Sequence, residues 1–343
     1  MRVAFLEPLE ARLRDFPARY LPAPEFEVLL TQTKDRFPDG WESAEAALWS
    51  ETPLDRALIE QMPNLRFLQR IGWFRARGDA SLALQRGIPV AVTPHGVGDR
   101  VAQHALMLTL MLLRRMPDAA EAIDKGLNPQ GLQELPPDSG QNTVNWAQIA
   151  DIASLNDKTV GILGFGEIGS NYARMMSAFH TRTLAYRRRT LSAAQEAFYG
   201  VKWTPLDELL QESDVIASFV PGIPEARGLL GKREFGLMKP SAYFVNCGRA
   251  SHVDEEALLA VLREEKIAGA ALDVFPVEPL PLSSPLRGLP NLIVTPHTAG
   301  GIGGWTDTFA RIRANLDRVR AGKLDEVRIA MQPGDYQPDG AAN

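Results

Sequence analysis

The sequence predicts an α/β protein of two parallel-sheet domains, and three observations carry that reading. Short apolar runs alternate with helical stretches along most of the chain, the pattern of a parallel sheet covered on both faces. The alternation restarts at Lys158, after an irregular stretch, as a second series that opens on a glycine-rich turn. A length of 343 residues is too long for one ordinary domain and comfortable for two.

In the first hundred residues VAFLE (3–7), FEVLL (26–30), AALW (46–49) and LRFLQRI (65–71) read as strands. TPLDRALIEQM (52–62) and DASLALQRG (79–87) read as short helices between them. A long helix rich in Ala, Leu and Met is expected from about Gly98 to Arg115. Residues 117–154, with Pro117, Pro129, Pro136 and Pro137, read as irregular. The stretch exceeds a simple linker and is either a surface excursion or an arm that packs on a partner subunit.

In the second series KTVGILGFG (158–166) is strand then turn, EIGSNYARMMSAF (167–179) a helix and TRTLAY (181–186) the next strand. DVIASFV (214–220), AYFVNC (242–247), IAGAALDVF (267–275) and NLIVTP (291–296) follow as apolar strands, with DEEALLAVLREEK (254–266) among the helices. A last helix is expected over 305–322, and the polar residues 331–343 read as a loose tail.

Hydrophobic residues make up 45% and charged residues 23% of the chain, enough for full cores. The net charge is 37 minus 42, or −5, which gives no electrostatic reason to expect nucleic acid or a membrane surface as partner. With Cys247 as the one cysteine, no intrachain disulfide is available. The first residues, MRVAFLEPLEARLRDF, do not resemble a secretory signal, and ALMLTLMLL (105–113) is too short to span a bilayer. A cytoplasmic protein is expected, and no metal site is read.

Residues 164–169 read GFGEIG: Gly164, Phe165, Gly166, Glu167, Ile168 and Gly169. The pattern G-x-G-x-x-G is weak alone and informative here, because it ends an apolar strand and opens a helix. Gly164 permits a tight turn, Gly166 lets the backbone approach a pyrophosphate, and Gly169 lets helix and strand pack closely. The helix N-terminus offers N–H groups and positive dipole to the phosphates.

Such a turn is usually followed about 20 residues on by a carboxylate that holds the ribose hydroxyls. Here the next strand ends AYRRRT (185–190), and after Tyr186 come Arg187, Arg188 and Arg189. Guanidinium groups suit a phosphate monoester better than a diol. The expected cofactor is therefore NADP(H), with NAD the alternative if the arginines are only a solvated loop.

At this point the chain resembles the D-isomer-specific 2-hydroxyacid dehydrogenase family, which spans glyoxylate/hydroxypyruvate reductases, D-lactate and phosphoglycerate dehydrogenases and, more distantly, formate and phosphite dehydrogenases. The resemblance runs from about Leu65 to Gly300. It rests on KTVGILGFGEIGS (158–170), VNCGRASHVDEEAL (245–258), IAGAALDVFPVEPLP (267–281) and LPNLIVTPHTAG (289–300), in that order and spacing. It implies two similar domains, flavodoxin-like and Rossmann-like, with the active site in the cleft between them. The cofactor domain (98–297) would be inserted in a substrate domain made of 1–97 and 298–343. It also implies a homodimer.

Hydride transfer to a keto carbon needs a held carboxylate, a polarised carbonyl and a proton for the developing alkoxide. Arg249, in NCGRAS, matches the family's substrate arginine, whose planar fork can hold carboxylate and keto oxygen together. His297, in TPHTAG, matches its acid/base. Glu278, in FPVEP, matches the carboxylate that favours the imidazolium and fixes which ring nitrogen faces the substrate. Asp273 matches the aspartate that contacts the nicotinamide carboxamide. Val220, Pro221, Asn246, Cys247, Gly248 and Gly300 would line the cofactor pocket, Cys247 as a packing residue and not a nucleophile. His95, His104, His180 and His252 have no equal claim to catalysis, and His104 reads as structural.

Ile71, Gly72 and Trp73 fall where relatives bind the substrate carboxylate on backbone amides, in a loop resembling V-G-x-D. This chain departs from that pattern, reading RIGWFRARGD over 70–79. Trp73 and Phe74 either shape a pocket for a larger side chain or fill space. The implied activity is reduction of a small 2-keto acid. A dinucleotide-sensing corepressor-like protein, or an oxidoreductase of another small anion such as phosphite, are the alternatives.

Overall fold

The computed structural model describes residues 1–9, 11–33, 36–50, 54–71, 81–93, 97–301 and 304–327. Gly72, Trp73, Phe74 and His95, and the tail expected at 331–343, lie outside them. The chain divides into two compact units: Met1–Gly98 with the chain from Gly301 on, and Asp99–Gly300.

In the first unit β1 (Arg2–Phe5), β2 (Glu27–Leu30), β3 (Ala46–Trp49), β4 (Phe67–Ile71) and β5 (Val90–Thr93) pair in parallel in the order β2-β1-β3-β4-β5. That is the flavodoxin-like order, reversing between β1 and β3. Helices α1 (Phe16–Tyr20), α2 (Arg56–Glu60) and α3 (Ser81–Gln85) lie in the connections. Alternate residues serve opposite faces: Ala4, Ala47, Leu68 and Val90 join one core, and Val3, Phe5, Ala46, Leu48, Phe67 and Ala91 the other. β5 is absent from the sequence reading because its four residues sit between Pro89 and Pro94, which look like punctuation.

The second unit begins with α4 (Gly98–Leu113) and α5 (Met116–Asp124). The expectation that 117–154 is irregular is corrected here for its first eight residues. Pro117 stands in the first turn of α5, where its missing N–H has no intrahelical partner to lose. The unit continues through β6 (Thr159–Leu163), α6 (Glu167–Met176), β7 (Arg182–Tyr186), α7 (Ala193–Tyr199), β8 (Val201–Trp203), α8 (Leu206–Glu212) and β9 (Val215–Ser218). It ends with α9 (Lys232–Phe235), β10 (Tyr243–Asn246), α10 (Glu255–Arg263), β11 (Gly269–Leu272) and β12 (Leu292–Val294). The seven strands pair in parallel in the order β12-β11-β10-β9-β6-β7-β8. This is the Rossmann order with one added edge strand, reversing between β6 and β9.

Val160, Ile162, Val215, Ala217, Val245 and Ala271 face a core shared with α4 and α6. Leu184, Ile216, Phe244, Ala270 and Leu272 face a core shared with α8, α9 and α10. Burial on both faces explains why these strands read as continuous apolar runs. β8 has three residues, too few for a periodic signal. α7 carries a start signal in its sequence, because Ser192 and Gln195 form a capping box at its N-terminus.

The last helix, α11 (Gly304–Arg320), belongs to the first unit, where Phe309, Ile312, Leu316 and Val319 pack with Val3, Phe5 and Phe67. Their three- and four-residue spacing puts them on one helix face. Among the described residues, no helix is long and apolar enough to cross a membrane.

Candidate active site

Because every strand of the seven-stranded sheet runs the same way, all their carboxyl ends lie along one edge. The residues singled out in this unit fall there: Gly164 after β6, Arg187 after β7, Val220 after β9, Arg249 after β10, Asp273 after β11 and His297 after β12. This is the edge at which open α/β sheets bind ligands.

The three glycines of the turn answer to different constraints. Gly164 has φ of +86°, and a Cβ there would lie 2.8 Å from the Phe219 carbonyl carbon. A Cβ on Gly169 would lie 2.6 Å from the Gly164 carbonyl oxygen. Gly166 is exposed, and a Cβ there would meet nothing within 4 Å. The fold itself therefore requires Gly164 and Gly169, whereas Gly166 keeps open a space outside the protein. α6 starts at that space with no side-chain cap on its N-terminus. An open cradle at an uncapped helix start fits a dinucleotide pyrophosphate. Phe165 lies in the turn, but its ring is buried and meets Tyr199 edge-on at 5.4 Å, so only its backbone is available to a cofactor. Glu167 and Ile168 are half-buried at the start of α6.

Beyond β7 the three arginines part company. Arg187 donates through Nε to the Arg189 carbonyl at 2.9 Å and through a terminal nitrogen to the Thr190 carbonyl at 3.3 Å. Burial, then the Arg189 charge, lowers its guanidinium below the usual range. Its own carbonyl accepts the Trp203 indole N–H. Arg187 thus braces the loop, while Arg188 and Arg189 are exposed and Tyr186 is half-buried.

The turn after β10 is built around Asn246, which is 1% exposed. Its Oδ1 accepts the Gly248 N–H at 3.0 Å, and its Nδ2 donates to the Arg249 carbonyl at 3.4 Å. A Cβ on Gly248 would lie 2.6 Å from the Val220 carbonyl oxygen, so the loops after β9 and β10 touch. Pro221 is exposed beside them. The Cys247 thiol is buried, and burial, then the Asp273 charge, pushes it well up, as befits a packing residue. The Arg249 side chain is exposed and donates to the Gly248 carbonyl at 2.8 Å. Behind it, sequence reasoning missed a buried pair: His252 Nε2 stands 2.7 Å from Ser218 Oγ. Burial drives that imidazole down to about 4, against the opposing pull of the Arg249 backbone, so it is neutral at pH 7.

Glu278 and His297 are brought together. His297 Nδ1 is 2.5 Å from Glu278 Oε2, and Glu278 Oε1 accepts the Phe275 N–H at 2.9 Å. Burial pushes the Glu278 carboxyl up. The His297 and Phe275 hydrogen bonds and the charges of His297 and Arg249 outweigh that and hold it below the usual carboxylate range. An ionised carboxylate only accepts, so Nδ1 carries the proton and Nε2 is free for other chemistry. His297 has φ of +53°, a left-handed conformation that a non-glycine residue keeps at a cost of roughly 1–3 kcal/mol.

Asp273, expected to contact a nicotinamide carboxamide, is held within its own unit by hydrogen bonds to the loop after β12. Its side chain is 1% exposed, and both oxygens are taken by the chain. Oδ1 accepts the Thr295 hydroxyl at 2.6 Å and the Thr298 N–H at 2.9 Å, and Oδ2 accepts the Ala299 N–H at 2.9 Å. Gly300 is half-buried at the end of that loop. Of the residues expected to hold substrate, Ile71 is buried at the end of β4 in the first unit.

A family model described as "D-isomer specific 2-hydroxyacid dehydrogenase, NAD binding domain" matches residues 106–299. A glyoxylate/hydroxypyruvate reductase B of Enterobacter sp. (strain 638) is 35% identical over 267 residues, 78% of each chain. A D-isomer-specific 2-hydroxyacid dehydrogenase of Xanthobacter autotrophicus Py2, solved with NADPH and MES, aligns with a TM-score of 0.60 at 25% identity, covering 98% of this chain and 99% of that one. A phosphoglycerate oxidoreductase of Rhizobium etli shares the fold with a TM-score of 0.70 at 24% identity, covering 97% and 98%. With the family match spanning more than half the sequence and that relative aligned over more than three-quarters of it, the chain belongs to the D-isomer-specific 2-hydroxyacid dehydrogenase family.

Proposed function

We propose that the protein reduces a small 2-keto acid of the glyoxylate or hydroxypyruvate type to its D-2-hydroxy acid, with NADPH as the reductant. The observation that carries this reading is the Glu278–His297 pair, on the same sheet edge as Arg249 and the glycine turn. NADPH bound at the glycine turn would supply the hydride for the keto carbon. Arg249 holds the substrate carboxylate with its planar fork. His297 gives its Nε2 proton to the carbonyl oxygen, while Glu278 keeps Nδ1 protonated and the ring oriented. The Enterobacter relative's name supports the substrate class.

Arg188 and Arg189 read the 2′-phosphate, with Arg187 framing their loop. The NADPH in the Xanthobacter structure supports this choice. The unit Asp99–Gly300 binds the dinucleotide. Val220, Pro221, Cys247, Gly248 and Gly300 contribute mainly backbone to that pocket. Ile71, Gly72 and Trp73 hold the substrate carboxylate, as the family resemblance implies. The protein works in the cytoplasm as a homodimer.

The test is a panel of glyoxylate, hydroxypyruvate, pyruvate and phenylpyruvate assayed with NADPH and with NADH. Turnover is expected with NADPH, and with the first two acids above all. His297→Ala and Arg249→Ala should each abolish it while NADPH still quenches protein fluorescence. Turnover by His297→Ala at the wild-type rate would sink the acid assignment.

A further inference from the structure

His104 lies on α4, remote in sequence from every motif above, yet its ring reaches the loop that carries His297. Its Nε2 is 3.0 Å from Thr295 Oγ1, 191 residues on, and 3.5 Å from Asp273 Oδ1. The His104 side chain is 13% exposed and that of Asp273 1%. All three belong to the same compact unit.

The donors and acceptors of this group can be assigned. Asp273 only accepts when ionised, so the Thr295 hydroxyl spends its one proton on Oδ1 at 2.6 Å. The same hydroxyl must then accept from His104, which places the proton of that ring on Nε2. The chain runs from imidazole N–H to hydroxyl to carboxylate. The carboxylate also takes the N–H groups of Thr298 and Ala299, the two residues after His297. The His297 N–H turns back to the Thr295 carbonyl at 3.0 Å. The loop 295–299 is thus closed on Asp273 from both ends, with a left-handed His297 at its crest. A conformation of that kind persists only where its surroundings over-determine it.

We propose that His104 is a positioning residue: through Thr295 and Asp273 it fixes the left-handed loop that aims His297. The inference rests on the reading of His297 as the acid in keto-acid reduction. It assigns His104 no contact with substrate or cofactor. Losing the Nε2–H leaves the Thr295 hydroxyl free to rotate off Asp273 and frees one end of the loop. Displacing a reacting group by about 1 Å can cost on the order of a hundredfold in rate.

The experiment compares wild type with His104→Met, which keeps bulk without a donor, and His104→Gln, whose amide nitrogen can take the place of Nε2. Each is assayed for kcat and KM with glyoxylate, for the pH–rate profile and for NADPH affinity by fluorescence. His104→Met is expected to lose roughly tenfold or more in kcat, to shift the alkaline limb of the profile, and to keep NADPH affinity within about twofold. His104→Gln should recover most of the rate and the wild-type profile. If His104→Met misfolds, Thr295→Val carries the same test, with Thr295→Ser as its rescue. Wild-type kcat and pH profile in the donor-less variants would overturn the inference, as would a rate loss that the rescuing variants do not repair. Activity surviving in His297→Ala would instead overturn the reading on which it rests.

Discussion

Nδ1 of His297 stands 2.5 Å from Oε2 of Glu278, and that carboxyl is held below its usual range. The lowered value sets the sign of the pH dependence. A carboxylate of this kind contributes stability above its unfolded value of about 4.3, and the contribution is lost as pH falls through the lower native value. Glu278 should therefore remain ionised below pH of about 4.3 in a carbon-detected NMR titration. Removing its charge acts on the opposite limb. In Glu278→Gln the imidazolium loses its partner, so keto-acid reduction should fade at a lower pH than in wild type, with kcat down about tenfold or more. An unmoved alkaline limb would show that the pair does not set the proton donor.

The turn glycines should separate folding from binding. Gly164→Ala places a side chain at φ of +86° and 2.8 Å from Phe219 backbone. A loss of roughly 1–3 kcal/mol follows from the backbone conformation alone, read as a melting temperature lower by several degrees. Gly166→Ala meets nothing of the chain within 4 Å. It should melt with the wild type yet bind NADPH at least about tenfold more weakly, a difference near 1.4 kcal/mol. Equal NADPH affinity in Gly166→Ala would mean that no phosphate comes close to that turn.

What could be read from the sequence was what local sequence carries. The glycine turn and the segments holding Arg249, Glu278 and His297 keep their chemistry within a few residues, and their strand contexts were apparent. The two parallel sheets followed from alternation. Structure was lost to view where a signal was short or misleading: three residues in β8, prolines flanking β5, and Pro117 inside the first turn of α5. The contacts of His104 and Asp273 with Thr295 were invisible for another reason. Their hydrogen bonds join α4 and β11 to the loop after β12, and no pattern along the chain encodes such a meeting. Arg187 looked like its neighbours and differs only because its guanidinium turns back on carbonyls two and three residues on.

That difference makes the cofactor preference divisible. Arg188 and Arg189 are exposed after β7, and each charge-assisted hydrogen bond to a phosphate is worth about 1.5–3 kcal/mol. Arg188→Ser with Arg189→Ser should raise the KM for NADPH by roughly ten- to a hundredfold or more and leave that for NADH nearly unchanged. Arg187→Ala should instead loosen the loop whose Arg189 and Thr190 carbonyls its guanidinium binds. Its effect should then fall on both cofactors alike. A double variant that weakens NADH as much as NADPH would remove the 2′-phosphate from this loop.

Exposed apolar side chains point to where two copies would meet. Thirteen large hydrophobic residues are exposed among those described, and eight of them lie between Met107 and Ile152: Met107, Met116, Ile123, Leu127, Leu135, Val144, Trp146 and Ile152. Scattered apolar residues need no explanation, but this concentration within one segment is where the proposed homodimer would make its contact. Val144 is 82% exposed and Ile123 59%, so charging them disturbs little within one chain. Ile123→Glu with Val144→Glu should keep the wild-type circular dichroism spectrum while sedimentation velocity moves from dimer to monomer. Burying two unpaired carboxylates in a dimer contact would cost several kcal/mol, enough to dissociate it at micromolar concentration. A variant that still sediments as a dimer would place the subunit contact elsewhere on the chain.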